Sequence, residues 1–225
     1  MPTIDAVLLD IEGTLSSQSY VATTLFPFSR ARIPGYVAEH AEDPAVRQIL
    51  ADARALAGPG EDPVAALQRW IDEDRKAAPL KTIQGMIWDE GYANGQLFGQ
   101  IFPDALAALR RWQAAGVPRH IFSSGSVRAQ VRFFRHCRDG DLSGLFDRHF
   151  DLTIGPKLEA ASYRKIAAAL EARPERLRFF SDNFTELVAA AEAGLQVVQV
   201  IREDTRPDPR FVQVHSFAEA PVWAD

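Results

Sequence analysis

The sequence predicts an α/β protein: a doubly wound, mostly parallel sheet, with a helical domain inserted after the first strand. Three observations predict it. Val7-Leu8-Leu9 is a consecutive apolar run without alternation, as suits a strand buried on both faces. Strand and helix patterns alternate through residues 104–201, which implies parallel strands joined by right-handed crossovers with helices on both faces. Residues 15–100 show no comparable buried strand and read as helices. The α/β core is therefore placed at 1–16 and 100–225, and the helical insertion at 17–99. A chain of 225 residues suits one large domain or a core with an appendage.

The elements follow in order. Ile4 to Leu9 is the first strand, ended by Asp10 and broken at Gly13-Thr14. In the insertion, Ala45 to Ala57 and Val64 to Lys76 read as helices separated by Gly58-Pro59-Gly60-Glu61-Asp62-Pro63. Lys81 to Gln100 is a third helical stretch, loosened by Gly85, Gly91, Gly95 and Gly99. Leu106, Leu109 and Trp112 recur at helical steps, and Gly116 stops that helix. Val117 to Phe122 is a strand ending in Ser123-Ser124-Gly125-Ser126, and a helix runs from Ser126 towards His136. Phe150 to Ile154 is a short strand, and Tyr163, Ile166 and Leu170 mark a helix face. Leu177 to Phe180 is a strand ending in Ser181-Asp182, Phe184 to Ala193 a helix stopped by Gly194, and Leu195 to Ile201 a further strand.

Composition excludes several classes. Hydrophobic residues at 47% and charged residues at 24% are a globular mix, not a disordered one. A net charge of −5 argues against nucleic acid as partner. No window approaches 18 uncharged apolar residues, so no membrane span is expected. Cys137 is the lone cysteine, which excludes an intrachain disulfide and permits a reducing compartment. The N-terminus lacks a basic, then apolar leader, so a soluble cytoplasmic protein is expected. A self-contained core and cap in an acidic chain point to a monomer.

The polar residues fall where strands end, and in open α/β sheets ligands bind beyond the carboxyl ends of the strands. Asp10, Ser123 and Asp182 thus predict one shared pocket. Asp10-Ile11-Glu12-Gly13-Thr14 offers an attacking carboxylate, a second acid and a tight glycine turn; it also reads as a solvated turn. Ser123-Ser124-Gly125-Ser126 suits phosphate binding by hydroxyls and helix-start N–H groups, or plain capping by Ser124 or Ser126. Lys157 could neutralise a bound phosphate or be merely solvated. Asp182 could ligate Mg²⁺ or cap the next helix.

Together, acid-x-acid-Gly-Thr, then Ser, Lys and Ser-Asp, each after a strand, resemble the haloacid dehalogenase superfamily. The helical insertion looks like that superfamily's cap domain. Glu12 in place of the commoner aspartate, Leu25-Phe26-Pro27, Gln84-Gly85-Met86-Ile87-Trp88, Ser123 to Val127 with Gln130, Ile154-Gly155-Pro156-Lys157 and Ser162-Tyr163-Arg164-Lys165-Ile166 narrow the likeness. They resemble the enolase-phosphatase (acireductone synthase) family of methionine salvage, from Val7 to about Phe217. Leu15-Ser16-Ser17-Gln18 and Asn183-Phe184 depart from the family's usual continuations.

The resemblance implies a Mg²⁺-dependent enzyme, one ion per chain, acting on a small phosphorylated substrate. That substrate is 2,3-diketo-5-methylthiopentyl-1-phosphate, enolised and then dephosphorylated. It implies Asp10 as nucleophile; Asp10, the Glu12 main-chain carbonyl and Asp182 as metal ligands; and Ser123 and Ser124 on the phosphoryl and enol oxygens. Lys157 would neutralise equatorial oxygens and orient Asp10, and Glu12 would serve proton transfer or the enolisation. Lys81, Gln84 and Trp88 share a helix face; Lys81 and Gln84 could bind the diketone oxygens and Trp88 cover the methylthio chain, unless Trp88 is simply cap core. A phosphatase of the same superfamily with another small ester is the nearest alternative. A non-enzymatic relative would be expected to lose Asp10 or Asp182. A dinucleotide binder would need Gly-x-Gly-x-x-Gly after the first strand, and only Gly13 stands there.

Overall fold

The computed structural model describes residues 4–202 and 205–220. They divide into two compact units, residues 1–18 with 98–225 and residues 19–97.

The first unit is a six-stranded sheet in which every neighbouring pair is parallel. Its strands are β1 (Ala6–Leu9), β2 (Arg119–Phe122), β3 (Arg148–Phe150), β4 (Leu177–Ser181), β5 (Gln196–Val200) and β6 (Val212–Val214). Their spatial order is β3-β2-β1-β4-β5-β6, so β1 lies between β2 and β4. Leu8 aligns with His120 and Phe179, and Leu9 with Ile121 and Phe180. Hydrophobic residues fill both faces of β1, and all four are buried. On one face Leu8, Phe122 and Phe179 pack with Tyr163, Ile166 and Leu187 from the helices that follow β3 and β4. On the other, Phe180 meets Trp112 and Phe217 with ring centroids 5.7 and 5.5 Å away. These contacts realise the doubly wound arrangement.

Two expectations needed revision here. The short strand ends at Phe150 rather than beginning there. Asp151 Oδ1 accepts from the Thr153 N–H and hydroxyl at 3.0 and 2.6 Å, so a side chain captures the backbone and a turn replaces pairing. β6 had no sequence signal of its own: three residues, VQV, with one buried.

The second unit is helical: a π-helical turn at Val21–Leu25, then α1 (Phe26–Glu39), α2 (Pro44–Leu56), α3 (Pro63–Asp72) and α4 (Ala78–Ala93). Asp43 and Asp62 cap α2 and α3, accepting from the N–H groups of Ala45 and Ala65. Trp70, Leu67, Ile33, Val46 and Ile83 form its core. α1 was not foreseen, and α4 stops at Ala93, not Gln100. Asn94 ends α4, Gly95 takes φ 72°, and the N–H groups of Gln96 and Leu97 return to the Gly91 carbonyl.

In the first unit the remaining helices are α5 (Pro103–Ala114), α6 (Val127–Arg135), α7 (Ala160–Ala169) and α8 (Phe184–Glu192). No helix of the described residues is long and apolar enough to cross a membrane.

Candidate active site

Parallel strands place their carboxyl ends together, so Asp10 after β1, Ser123 after β2 and Ser181-Asp182 at the end of β4 share one edge. The loop between β3 and α7 delivers Lys157 to the same edge. Its Nζ lies 2.5 Å from Asp10 Oδ1 and 2.7 Å from Glu186 Oε2. All three side chains are buried. Burial opposes the ammonium charge, but the carboxylates of Asp10 and Glu186 outweigh it and hold Lys157 above the ordinary lysine range. Lys157 is therefore no solvated surface lysine.

Glu186 escaped the sequence reading. It stands in the first turn of α8, four residues after Asp182, and the Ser181 hydroxyl donates to its Oε2 at 3.1 Å. Burial and the Asp10 charge push it up to about 7, against the pull of Lys157. An acid one helical turn past a strand-end aspartate was the available signal, though acids are common at helix starts.

Asp182 does not cap α8. Asn183 does, accepting from the Thr185 N–H at 3.0 Å and the Thr185 hydroxyl at 2.6 Å. That leaves the Asp182 carboxylate to the site. Burial, then the nearby Asp10 charge, raise it to about 6. The Thr14 hydroxyl is committed to the same residue: it accepts from the Asp182 N–H at 3.0 Å and faces Oδ1 at 3.4 Å. Gly13, at φ 77°, brings the first loop so close that a Cβ there would strike the Asp182 carboxylate. A cavity of about 430 Å³ opens beside Asp182, lined also by Gly13, Phe102, Arg202 and His215.

Glu12 is half-buried. Burial and Asp10 raise its proton affinity, while its own backbone N–H, Lys157 and Ser123 oppose that rise. Ser123 is fully buried, and its hydroxyl donates to Glu12 Oε2 at 3.2 Å. Ser124 is exposed. Capping of α6 falls to Ser126, which accepts from the Ala129 N–H. The Val127 N–H is taken by Asp151 Oδ2 at 2.9 Å, so two helix-start donors are already engaged.

In the helical unit, Gln84 is buried and its Nε2 donates to the Ser29 hydroxyl at 3.3 Å. The Trp88 indole donates to the Leu25 carbonyl at 2.9 Å and stacks on Phe26. Lys81 is exposed. Cys137 is buried and its thiol is pushed up to about 12 by burial, a structural role.

The residues fit a magnesium ion by their donor chemistry. Asp10 and Asp182 offer carboxylate oxygens crowded with like charge, and a divalent cation would relieve that repulsion. Among the described residues no three His, Cys, Asp or Glu side chains form a cage by themselves. A site of two carboxylates completed by a carbonyl, water and phosphate agrees with that, since Mg²⁺ keeps several waters.

The haloacid dehalogenase-like hydrolase family model matches residues 4–194. The enolase-phosphatase E1 of a Bradyrhizobium species is 54% identical over 214 residues, covering 95% of this chain and 93% of that protein. The Frankia alni protein of the same name is 50% identical over 233 residues, covering 99% and 98%. Among solved structures, the UTR4 protein of Saccharomyces cerevisiae superposes with a TM-score of 0.84 at 31% identity, covering 96% of this chain and 99% of that one. With a strand-end aspartate held by a buried lysine, and relatives matched along nearly their whole length, the chain belongs to the haloacid dehalogenase-like hydrolases, in their enolase-phosphatase branch.

Proposed function

We infer that this protein is a bifunctional enolase-phosphatase that converts 2,3-diketo-5-methylthiopentyl-1-phosphate to its acireductone and inorganic phosphate, as a step of methionine salvage. The observation that carries the chemistry is the buried Asp10–Lys157 pair at the carboxyl edge of the central strand. An aspartate so held is aimed and shielded from water. Nearly full-length identity of about half with enolase-phosphatases supports the substrate.

In this reading an Asp10 carboxylate oxygen attacks phosphorus. The new O–P bond forms as the bond to the enol oxygen breaks, and that oxygen takes a proton. Water then cleaves the aspartyl-phosphate, releasing phosphate and restoring Asp10. Lys157 stabilises charge on the phosphoryl oxygens. Glu12, whose proton affinity is raised, suits donation of the proton to the leaving oxygen. Ser124 is open to substrate oxygens, and Ser123 sets the Glu12 carboxyl. Asp10, the Glu12 main-chain carbonyl and Asp182 would hold one Mg²⁺, which neutralises charge between nucleophile and phosphate. Lys81, Gln84 and Trp88 remain the proposed substrate-reading residues of the helical unit. We place the protein in the cytoplasm.

The test is phosphate release from the diketone phosphate with Mg²⁺, with a chelator, and with Ca²⁺. Release should stop with the chelator, return with Mg²⁺ and recover poorly with Ca²⁺, which favours longer bonds and more ligands. Full activity after exhaustive metal removal overturns the ligand set. Faster turnover of generic sugar phosphates than of the diketone phosphate overturns the substrate.

A further inference from the structure

Gln130 on α6 is buried, and each of its polar atoms is matched. Its Nε2 donates to the Gly125 carbonyl at 2.7 Å and to the Phe150 carbonyl at 2.9 Å. A side-chain amide has two N–H donors, so both are used. Its Oε1 lies 3.0 Å from His149 Nδ1. A carbonyl oxygen only accepts, so Nδ1 carries the proton and donates. Flipping the Gln130 amide would set its oxygen against two carbonyl oxygens and its NH₂ against the His149 N–H. His149 therefore fixes the amide in one orientation.

The consequence reaches the loop after β2. The Gly125 N–H donates to Ser123 Oγ at 3.2 Å, and its carbonyl is held by Gln130, so both peptide planes around this glycine are set. Peptide units are planar and trans, so the Ser126 N–H points opposite to the Gly125 carbonyl, away from Gln130. Among the described residues that N–H has no protein partner. Gln130 thus neutralises the Gly125 and Phe150 carbonyls, while among the described residues the Ser124 and Ser126 N–H groups of the loop are left without a protein partner, at the sheet edge that carries Asp10. An anion gains on both counts.

We propose that Gln130, oriented by His149, is a positioning residue that holds the 123–126 loop in the shape that receives the phosphoryl group, with the Ser126 N–H as the donor presented to it. This rests on the phosphatase reading above and deepens it. It assigns part of phosphate affinity to two side chains that never touch phosphate.

The experiment measures inhibition by inorganic phosphate and by orthovanadate, in Mg²⁺, for Gln130→Met, His149→Leu and His149→Asn. Gln130→Met keeps the volume and loses both donors. His149→Leu loses the orienting donor, whereas an asparagine amide regains one near the Nδ1 position. The expected result is an inhibition constant about tenfold weaker in Gln130→Met, a smaller weakening in His149→Leu, and recovery in His149→Asn, with KM rising more than kcat falls. A merely structural role would lower the melting temperature of both disruptive variants and leave oxyanion affinity per folded molecule unchanged; that outcome overturns the proposal. Equal affinities in His149→Leu and His149→Asn overturn it too, and this pair decides the matter should Gln130→Met fail to fold. Inhibition by phosphate is read with any turned-over ester, so a wrong diketone substrate leaves this test standing.

Discussion

Lys157 carries one positive charge and faces two carboxylates, Asp10 and Glu186. Removing different members of this buried triad should have unequal effects. Lys157→Met leaves two buried carboxylates without a cation, which typically costs about 3–5 kcal/mol; Glu186→Gln leaves the Asp10–Lys157 pair neutral and intact. In metal-free protein, denaturant melts should therefore show Lys157→Met as the far less stable variant, and equal losses would contradict the pairing. Asp10→Asn keeps size and removes the carboxylate proposed to attack phosphorus. It should retain its circular dichroism spectrum while phosphate release falls by several orders of magnitude; ordinary turnover would exclude the aspartyl-phosphate route. At this scale the sequence was partly legible. Asp10, Ser123 and Asp182 stood at strand ends where a pocket was expected. Glu186 was not seen, because a helix-start acid is common and only the fold shows that it reaches Lys157. Thr14 accepts from the Asp182 N–H.

Elements were readable where apolar periodicity was clean and hidden where local chemistry overrode it. β1, β4 and α2 follow the expected patterns closely, whereas α3 ends at Asp72 rather than Lys76. α1 was not foreseen; Pro27, Pro34 and Gly35 are poor helix residues, yet Pro27 sits in the first turn and Pro34 is carried inside the helix. Only Ser29, Ile33 and Tyr36 are fully buried along it, too thin a stripe to notice. The turn after β3 shows how strongly one side chain decides. Asp151 holds the Val127 N–H, the Thr153 N–H and the Thr153 hydroxyl, and the Thr153 and Val127 bonds keep its carboxyl below the ordinary range despite burial. Asp151→Ala should destabilise the first unit by about 1–2 kcal/mol, as lost caps do. Urea titration checks this, and a change within error would mean that water replaces the carboxylate freely.

Acid stability belongs to the whole molecule. His120 is buried in β2, and burial first, with Arg148, Arg119 and His149 adding to it against Asp147, pushes its pKa down to about 4. A histidine lowered in the fold stays neutral there while the unfolded chain takes up a proton. Its contribution is thus fully present above about 6.5 and is lost as pH falls towards 4. The loss is up to about 3 kcal/mol at 1.36 kcal/mol per unit. Melting temperatures measured from pH 7 to 4 should fall less steeply in His120→Leu; parallel curves would assign the acid sensitivity elsewhere. The strand order has a consequence in time. β1 is the first strand made, yet Val7 pairs with Arg119 on one side and Arg178 on the other. During synthesis Ala6–Leu9 therefore waits, apolar and unpaired, while the helical insertion and half the sheet emerge. Closing contacts that distant is slow, and an unpaired apolar strand invites aggregation meanwhile. The helical unit, whose contacts are local, is free to fold during that wait. The strand that ends in Asp10 is thus the earliest born yet is seated on both sides only when β4 arrives, and the edge that gathers Asp10, Lys157 and Glu186 exists only once most of the chain has been made.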